Sequence, residues 1–542
     1  MAGAAYFIPF LGAAPLFDWD EINFAESARE MLVTGDFITV QIDYQPFWEK
    51  PPLFFWLQAV SMTLFGVNEF AARFPNAVFG MLTLLLFFFL GKKLHNTRLA
   101  VIWVFSMAGS FLPALYFKSG IIDPVFNFFI FFGVVCLAAS IHHVGNRLSL
   151  HYAVLSGVFI GLATLTKGPV ALLVFLLTAF VYWLAIHRRK IYTWPHVLRF
   201  AVSYSVVAGI WFGLDVYRNG IDFLFEFIIY QWDLLTTPVA GHSGPFYYHF
   251  VVILFGCFPM SVVGIPLLFQ RRHISEPWDF SRWMQILFWV VLILFSLVKT
   301  KILHYSSLAY FPLSYLAARY IERMAGPAGM PVWQRMLLAV IGILIAAMLF
   351  AAPWLAQRPE LIMPFVKDPF AADCLTTNVS WDGWESWIGM AYLLCVGFTL
   401  LFILRKNITN GLLFLYASTA LCLFLYLKAV IPRIAGYSQG PAIAFYKSLQ
   451  GEKVYVNPYG FKSYAQYFYF QKPPGDPAES RDLRWLVSGA IDRPAYFVAK
   501  TTTAAELEGK TDMLLLGKEG GYVFFMRQPP QSNPDAATPN IP

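Results

Sequence analysis

Three carboxylates stand within four residues at Asp18-Trp19-Asp20-Glu21. Carboxylates so closely spaced can bind a metal or act as a general base. One of them could equally cap a following helix whose apolar face would be Ile22, Ala25, Met31 and Leu32. Capping needs a single Asp, so the surplus acids point to chemistry, with Asp20 and Glu21 as candidates. In Glu49-Lys50-Pro51-Pro52 two prolines stiffen a Glu–Lys pair. Lys50 there either meets a local anion or snorkels beside Glu49. Lys167 lies in the turn Thr166-Lys167-Gly168-Pro169, and Lys299, Lys301 and His304 share the stretch Lys299-Thr300-Lys301-Ile302-Leu303-His304-Tyr305. Asp123 precedes Pro124 at the start of an apolar run, as a helix cap or as a functional charge, and His242 sits in a Gly/Ser/Pro loop. Lysine is a point-charge phosphate binder, so Lys50, Lys167, Lys299 and Lys301, with Lys118 as a fifth, suggest a phosphate site.

The chain that must position these groups has 542 residues, 58% of them hydrophobic and 13% charged. A soluble domain carries roughly 25% charge, so a polytopic membrane protein is expected and a soluble enzyme, a disordered chain or a coiled coil is excluded. The net charge of +7 is spread over short loops and forms no basic domain, which argues against nucleic acid. Thirteen apolar runs read as spans, at 4–17, 76–90, 99–117, 121–141, 152–165, 170–186, 198–217, 248–269, 284–298, 302–320, 336–352, 387–404 and 412–431. The run 53–65 is too short to cross and reads as a re-entrant or interfacial helix. Alternate loops hold fourteen Lys/Arg against three acids, while 18–52 holds eight acids against Arg29 and Lys50. The positive-inside rule then places the N-terminus in the cytoplasm and the loop 18–52 on the outer, periplasmic side. Residues 1–435 form the membrane unit, 440–526 a small periplasmic α/β domain, and 527–542 a polar, Pro-rich tail that reads as disordered.

On this topology Lys50, Lys167, Lys299 and Lys301 all face outward, against the rule that governs the other basic residues. Carboxylates opposite a cationic patch on the outer leaflet fit a lipid phosphate carrying a transferable group. A donor arriving from within the membrane needs no nucleotide loop, and the sequence contains no P-loop or convincing dinucleotide fingerprint. A transporter or flippase of a lipid-linked sugar is the competing class; it would show internal repeats and midplane charges, whereas here the charges gather at one face.

Asp18-Trp19-Asp20-Glu21, Ala28-Arg29-Glu30-Met31-Leu32 with Thr34-Gly35-Asp36, and Glu49-Lys50-Pro51-Pro52-Leu53 resemble the first outer loop of bacterial polyprenyl-phosphate-sugar glycosyltransferases. This is the GT-C group, which contains the aminoarabinose lipid A transferase and the protein O-mannosyltransferases. Gly66, Glu69-Phe70, Arg73, Leu165-Thr166-Lys167-Gly168-Pro169, and Lys299-Thr300-Lys301 with His304-Tyr305 extend the resemblance over roughly residues 10–320. It implies a GT-C fold of about 13 transmembrane helices and an inverting transfer of a sugar from undecaprenyl phosphate to lipid A, another envelope glycolipid or a protein hydroxyl. It implies Asp20, with Glu21 beside it, and Asp123 as catalytic carboxylates. The donor phosphate would meet Lys50, Lys167, Lys299, Lys301 and His304. Glu49 and His242 match positions that can hold a divalent ion (Zn, Mg or Mn) in the aminoarabinose branch. An Arg that the branch places after that His has no counterpart here, where Tyr247-Tyr248 stand.

Overall fold

A computed structural model describes residues 2–186, 193–237, 243–270, 276–324 and 329–529. Among them, eight helices are long and apolar enough to cross a membrane: Glu69–Leu94, Asp123–His142, Arg147–Lys167, Trp194–Asn219, Pro277–Leu297, Val332–Ala356, Trp387–Leu404 and Ile408–Gly436. Each coincides with an expected span. The other five apolar runs are broken or shorter. The run 170–186 is the 16-residue helix Val170–Ala185. The run 99–117 splits into Thr97–Ala108 and Phe111–Tyr116. At that break Gly109 lies so close to the Tyr416 carbonyl that an added Cβ would sit 2.4 Å from its oxygen. The run 248–269 divides into Tyr248–Gly256 and Met260–Leu268 around Pro259, which offers no N–H to continue the ladder. The run 302–320 opens as the 3₁₀ turn Leu303–Ala309 before the helix Tyr310–Arg323.

The run 4–17 departs furthest from expectation. Helix Ala2–Phe7 gives way to irregular chain containing Pro9, Gly12 and Pro15. Irregular backbone among apolar helices needs partners for its carbonyls. Arg73 supplies them, donating to the carbonyls of Leu11, Ala14 and Pro15 at 2.8, 2.7 and 2.8 Å. Lys118 donates to the carbonyls of Phe7 and Pro9 at 3.1 and 2.9 Å.

Helix Asp20–Thr34 follows and ends at Gly35, whose φ of 71° only glycine adopts freely. A short hairpin pairs Gln41–Ile42 with Gln45–Pro46, and helix Leu53–Phe65 follows the two prolines, over the residues read from sequence.

The C-terminal residues form a four-stranded sheet. Tyr455–Tyr459 runs parallel to Ala495–Lys500, which pairs antiparallel with Tyr522–Arg527, and Met513–Glu519 takes the far edge. Alternate side chains sort to opposite faces. Phe497, Ala499, Val523 and Phe525 enter a small core with Leu486 and Leu507, while Tyr496, Val498, Phe524 and Met526 join the main core of the helical bundle. Phe524 stacks on Phe445 with ring centroids 4.4 Å apart. The sheet unit also grips the first loop. Asp18 accepts hydrogen bonds from the Ser463 hydroxyl and from the Tyr464 N–H at 3.2 Å. Asp43 pairs with both Lys472 and Arg481. The Tyr44 hydroxyl donates to the Lys472 carbonyl at 2.6 Å.

Candidate functional site

Helix ends deliver the central charges. Asp20 and Asp123 are the first residues of Asp20–Thr34 and Asp123–His142, and Lys167 is the last of Arg147–Lys167. Acids at helix N-termini and a cation at a C-terminus suit the helix dipoles. That effect places each charge separately and does not account for their convergence. Lys167 Nζ lies 2.5 Å from Asp123 Oδ1. His304 Nε2 lies 3.4 Å from Asp20 Oδ2 and 3.6 Å from Asp123 Oδ2, so the imidazole bridges two carboxylates held on different elements. Their exposures differ: the Asp123 side chain is 3% exposed and that of Asp20 45%. Asp123 is a buried anchor with Oδ2 lacking a hydrogen-bond partner, and Asp20 faces the open side. Directly before Asp20, Trp19 holds φ 73° and ψ −108°. Such strained backbone persists only where its surroundings impose it, and it concentrates at functional sites.

Lys50 borders the same mouth. Its ammonium sits 4.7 Å from the ring centroid of Tyr230, 3.5 Å from that phenol oxygen, and 3.3 Å from the Glu49 carbonyl. Among the described residues no carboxylate lies within ion-pair distance of it. Burial lowers its pKa below the ordinary lysine value, and Glu49 only partly opposes this. Charges on Lys167, Asp20 and Asp123 also act on Lys50, which ties the two halves of the site together. Lys167 in turn lies 5.0 Å from the Tyr305 ring and 5.7 Å from that of Phe126.

Several sequence candidates lie elsewhere. Glu21 points away from the cluster: its carboxylate pairs with buried Arg73 at 2.7 Å and accepts the N–H groups of Phe17 and Gly120. It fastens the irregular N-terminal segment. Lys301 donates to the carbonyls of Phe295, Ser296 and Val298, capping the C-terminal end of helix Phe280–Leu297. Lys118 serves the Phe7 and Pro9 carbonyls. The side chains of Lys301 and Lys118 are thus spent on backbone that a short turn leaves unpaired. Lys299 is exposed. His242 lies outside the described residues. The Glu49 carbonyl accepts from Gln231 Nε2 at 3.4 Å, and among the described residues no group of three His, Cys, Asp or Glu side chains could hold a metal ion. Tyr230 was not foreseen. It lies on helix Asp222–Thr236, in a stretch read from sequence as outer loop. The signal in the sequence was the fifteen-residue stretch Asp222–Thr236, which holds neither Pro nor Gly.

Residues 15–226 match the family described as dolichyl-phosphate-mannose-protein mannosyltransferase. The undecaprenyl phosphate-alpha-4-amino-4-deoxy-L-arabinose arabinosyl transferase of Edwardsiella ictaluri is 28% identical over 64% of this chain and 64% of its own. The second such transferase of Sodalis glossinidius is 29% identical over 67% and 66%. The chain thus spans just under two thirds of the length of these relatives. ArnT from Cupriavidus metallidurans, solved bound to undecaprenyl phosphate, superposes with a TM-score of 0.77 at 18% identity, covering 97% of this chain and 96% of that one. The chain thus shares the fold of that transferase over nearly its whole length and is similar in sequence to polyprenyl-phosphate-sugar glycosyltransferases over its N-terminal part.

Proposed function

We propose that the chain transfers a sugar, with inversion, from polyprenyl (undecaprenyl) phosphate to lipid A or another envelope glycolipid at the periplasmic face of the inner membrane. The observation that carries this reading is the convergence of exposed Asp20, the His304–Asp123–Lys167 array and unpaired Lys50 at one mouth. In the step proposed, an acceptor oxygen attacks the anomeric carbon as its bond to the phosphate oxygen breaks. The electron pair leaves with the phosphate, whose growing charge Lys50 and Lys167 stabilise. Asp20, opposite them, takes the proton of an acceptor hydroxyl through its outward-facing carboxylate. With a phosphate acceptor no base is needed, and Asp20 would align the acceptor instead. His304 and Asp123 hold Asp20 and Lys167 in register. Relatives named for undecaprenyl-phosphate-linked aminoarabinose support the donor class. The charge asymmetry of the loops supports the remaining topology: thirteen crossings, a cytoplasmic N-terminus and residues 440–526 as a periplasmic unit.

A protein O-mannosyltransferase-type acceptor is the second reading, favoured by the family match over residues 15–226. Mass spectrometry of lipid A, envelope glycans and glycopeptides from a deletion strain distinguishes the two. A lost lipid A or glycolipid substituent is expected, and loss of protein-linked sugar with unchanged glycolipids overturns that acceptor. Purified protein in detergent, with no vesicle to transport across, should still transfer sugar from the lipid donor; failure there favours a flippase.

A further inference from the structure

Asp18 opens the acidic cluster, yet it does not cap the helix that follows: helix Asp20–Thr34 begins without a side-chain cap. The Asp18 carboxylate accepts the Trp19 N–H at 3.0 Å, the Tyr464 N–H at 3.2 Å and the Ser463 hydroxyl. Residues 462–464 belong to the sheet unit, between strand Tyr455–Tyr459 and helix Ala465–Phe470. The same loop holds Trp19. The Tyr464 ring meets the indole edge-on with centroids 5.6 Å apart, and the Lys462 ammonium lies 5.0 Å from the Trp19 ring centroid. From helix Ala465–Phe470 the Tyr469 hydroxyl accepts the Leu16 N–H at 2.7 Å. Leu16, Asp18 and Trp19, all just ahead of Asp20, are thus held from the sheet unit.

These contacts account for the backbone of Trp19. A φ of 73° is disfavoured for a bulky residue and relaxes unless the chain is fixed on both sides. The helix fixes it downstream, and the grip on Asp18 fixes it upstream. Resting on the reading of Asp20 above as the group that faces the acceptor, we propose that Asp18, Ser463 and Tyr464 form a positioning clamp through which the sheet unit holds Asp20 in reach of His304. With the clamp cut, Trp19 relaxes to negative φ and the first residue of the helix turns with it. The Asp20 carboxylate, 3.4 Å from His304 Nε2, then loses its register. Lys50 and Lys167 stand on other elements, so the cost falls on turnover and not on donor binding.

Asp18→Ala and Ser463→Ala sever the clamp from its two sides, so a folding defect in one leaves the other to decide. Single-turnover transfer by the detergent-solubilised full chain and undecaprenyl phosphate binding, measured by thermophoresis, are the readouts. Each variant should transfer about tenfold more slowly, short of the loss on the order of 10²-fold expected when the Asp20 carboxylate itself is removed, with undecaprenyl phosphate binding unchanged. The double variant should be no slower than either single one, because both cut the same contact. In an Asp20→Asn background Asp18→Ala should cost almost nothing, since no carboxylate remains to be misplaced. A merely structural clamp would lower the residual rate there by the same factor or weaken donor binding. Either result overturns the proposal, as do multiplied losses in the double variant or full transfer in both single ones. A parent that transfers no sugar from the lipid donor, or an Asp20→Asn chain as fast as the parent, removes the underlying reading and the proposal with it. That outcome is distinct from unimpaired Asp18→Ala in a chain that needs Asp20.

Discussion

Lys50 and Lys167 flank one mouth, but the structure sets them different tasks, and substituting each by methionine should separate rate from stability. A unit charge developing on the leaving phosphate about 4 Å from a lysine, at an effective dielectric near 20, is stabilised by at most about 4 kcal/mol. Lys50 has no carboxylate within ion-pair reach among the described residues and delivers most of that. Lys50→Met should therefore slow transfer on the order of 10²-fold or more. Lys167 already carries Asp123 at 2.5 Å, which cancels much of its field at the phosphate. Lys167→Met should cost only about tenfold in rate, or about 1.4 kcal/mol. Stability should follow the opposite order. Removing Lys167 leaves the buried Asp123 carboxylate with His304 at 3.6 Å as its remaining partner. Breaking a buried pair costs about 3–5 kcal/mol, and the low end applies here because the imidazole stays. Lys50→Met removes a half-buried charge from a site that disfavours it and should leave the unfolding temperature nearly unchanged. Single-turnover transfer from a polyprenyl-phosphate sugar and thermal unfolding in the same detergent read both quantities. A larger rate loss for Lys167→Met than for Lys50→Met, or a larger stability loss for Lys50→Met, refutes the division of labour.

Two further outcomes follow from groups outside the chemistry. Arg73→Met should unfold the N-terminal segment by leaving Glu21 without its counter-charge and three backbone carbonyls without a donor, at about 3–5 kcal/mol, seen as a lowered unfolding temperature; a double Arg73→Met/Glu21→Leu variant should recover part of it, and no recovery contradicts the pairing. Glu30 is buried beside Glu26, and burial first and that neighbour second raise its pKa to about 9. A raised native value means its contribution is complete below the ordinary carboxyl range and disappears as pH climbs through about 9. Glu30→Gln should flatten the decline of the unfolding temperature between pH 5 and pH 9, and an unchanged pH slope argues against a protonated Glu30.

The long apolar runs disclosed eight helices because a straight helix between polar loops leaves an unbroken hydrophobic signature. The run 4–17 reads from sequence as an unbroken helix because apolarity alone does not say whether backbone carbonyls are satisfied within a helix or by Arg73 and Lys118 from other elements. The same blindness explains the lysines. Residue type and loop position could not distinguish Lys167, aimed at Asp123, from Lys301, folded back onto its own helix end. Asp20, Asp123 and His304 were named from sequence, but their convergence is a tertiary fact joining elements more than a hundred residues apart. Tyr230 escaped because a tyrosine in an apolar run carries no distinctive spacing; its meaning comes only from Lys50 against its ring.

The central claim is that exposed Asp20 faces the acceptor across from the lysines that take the phosphate. Purified protein in detergent, given polyprenyl-phosphate-linked sugar and lipid A acceptor, measures it directly through the transfer rate of the parent and of Asp20→Asn. Transfer by the parent and a loss on the order of 10²-fold or more in Asp20→Asn, with donor binding retained, is the predicted result. Full activity in Asp20→Asn would contradict the account.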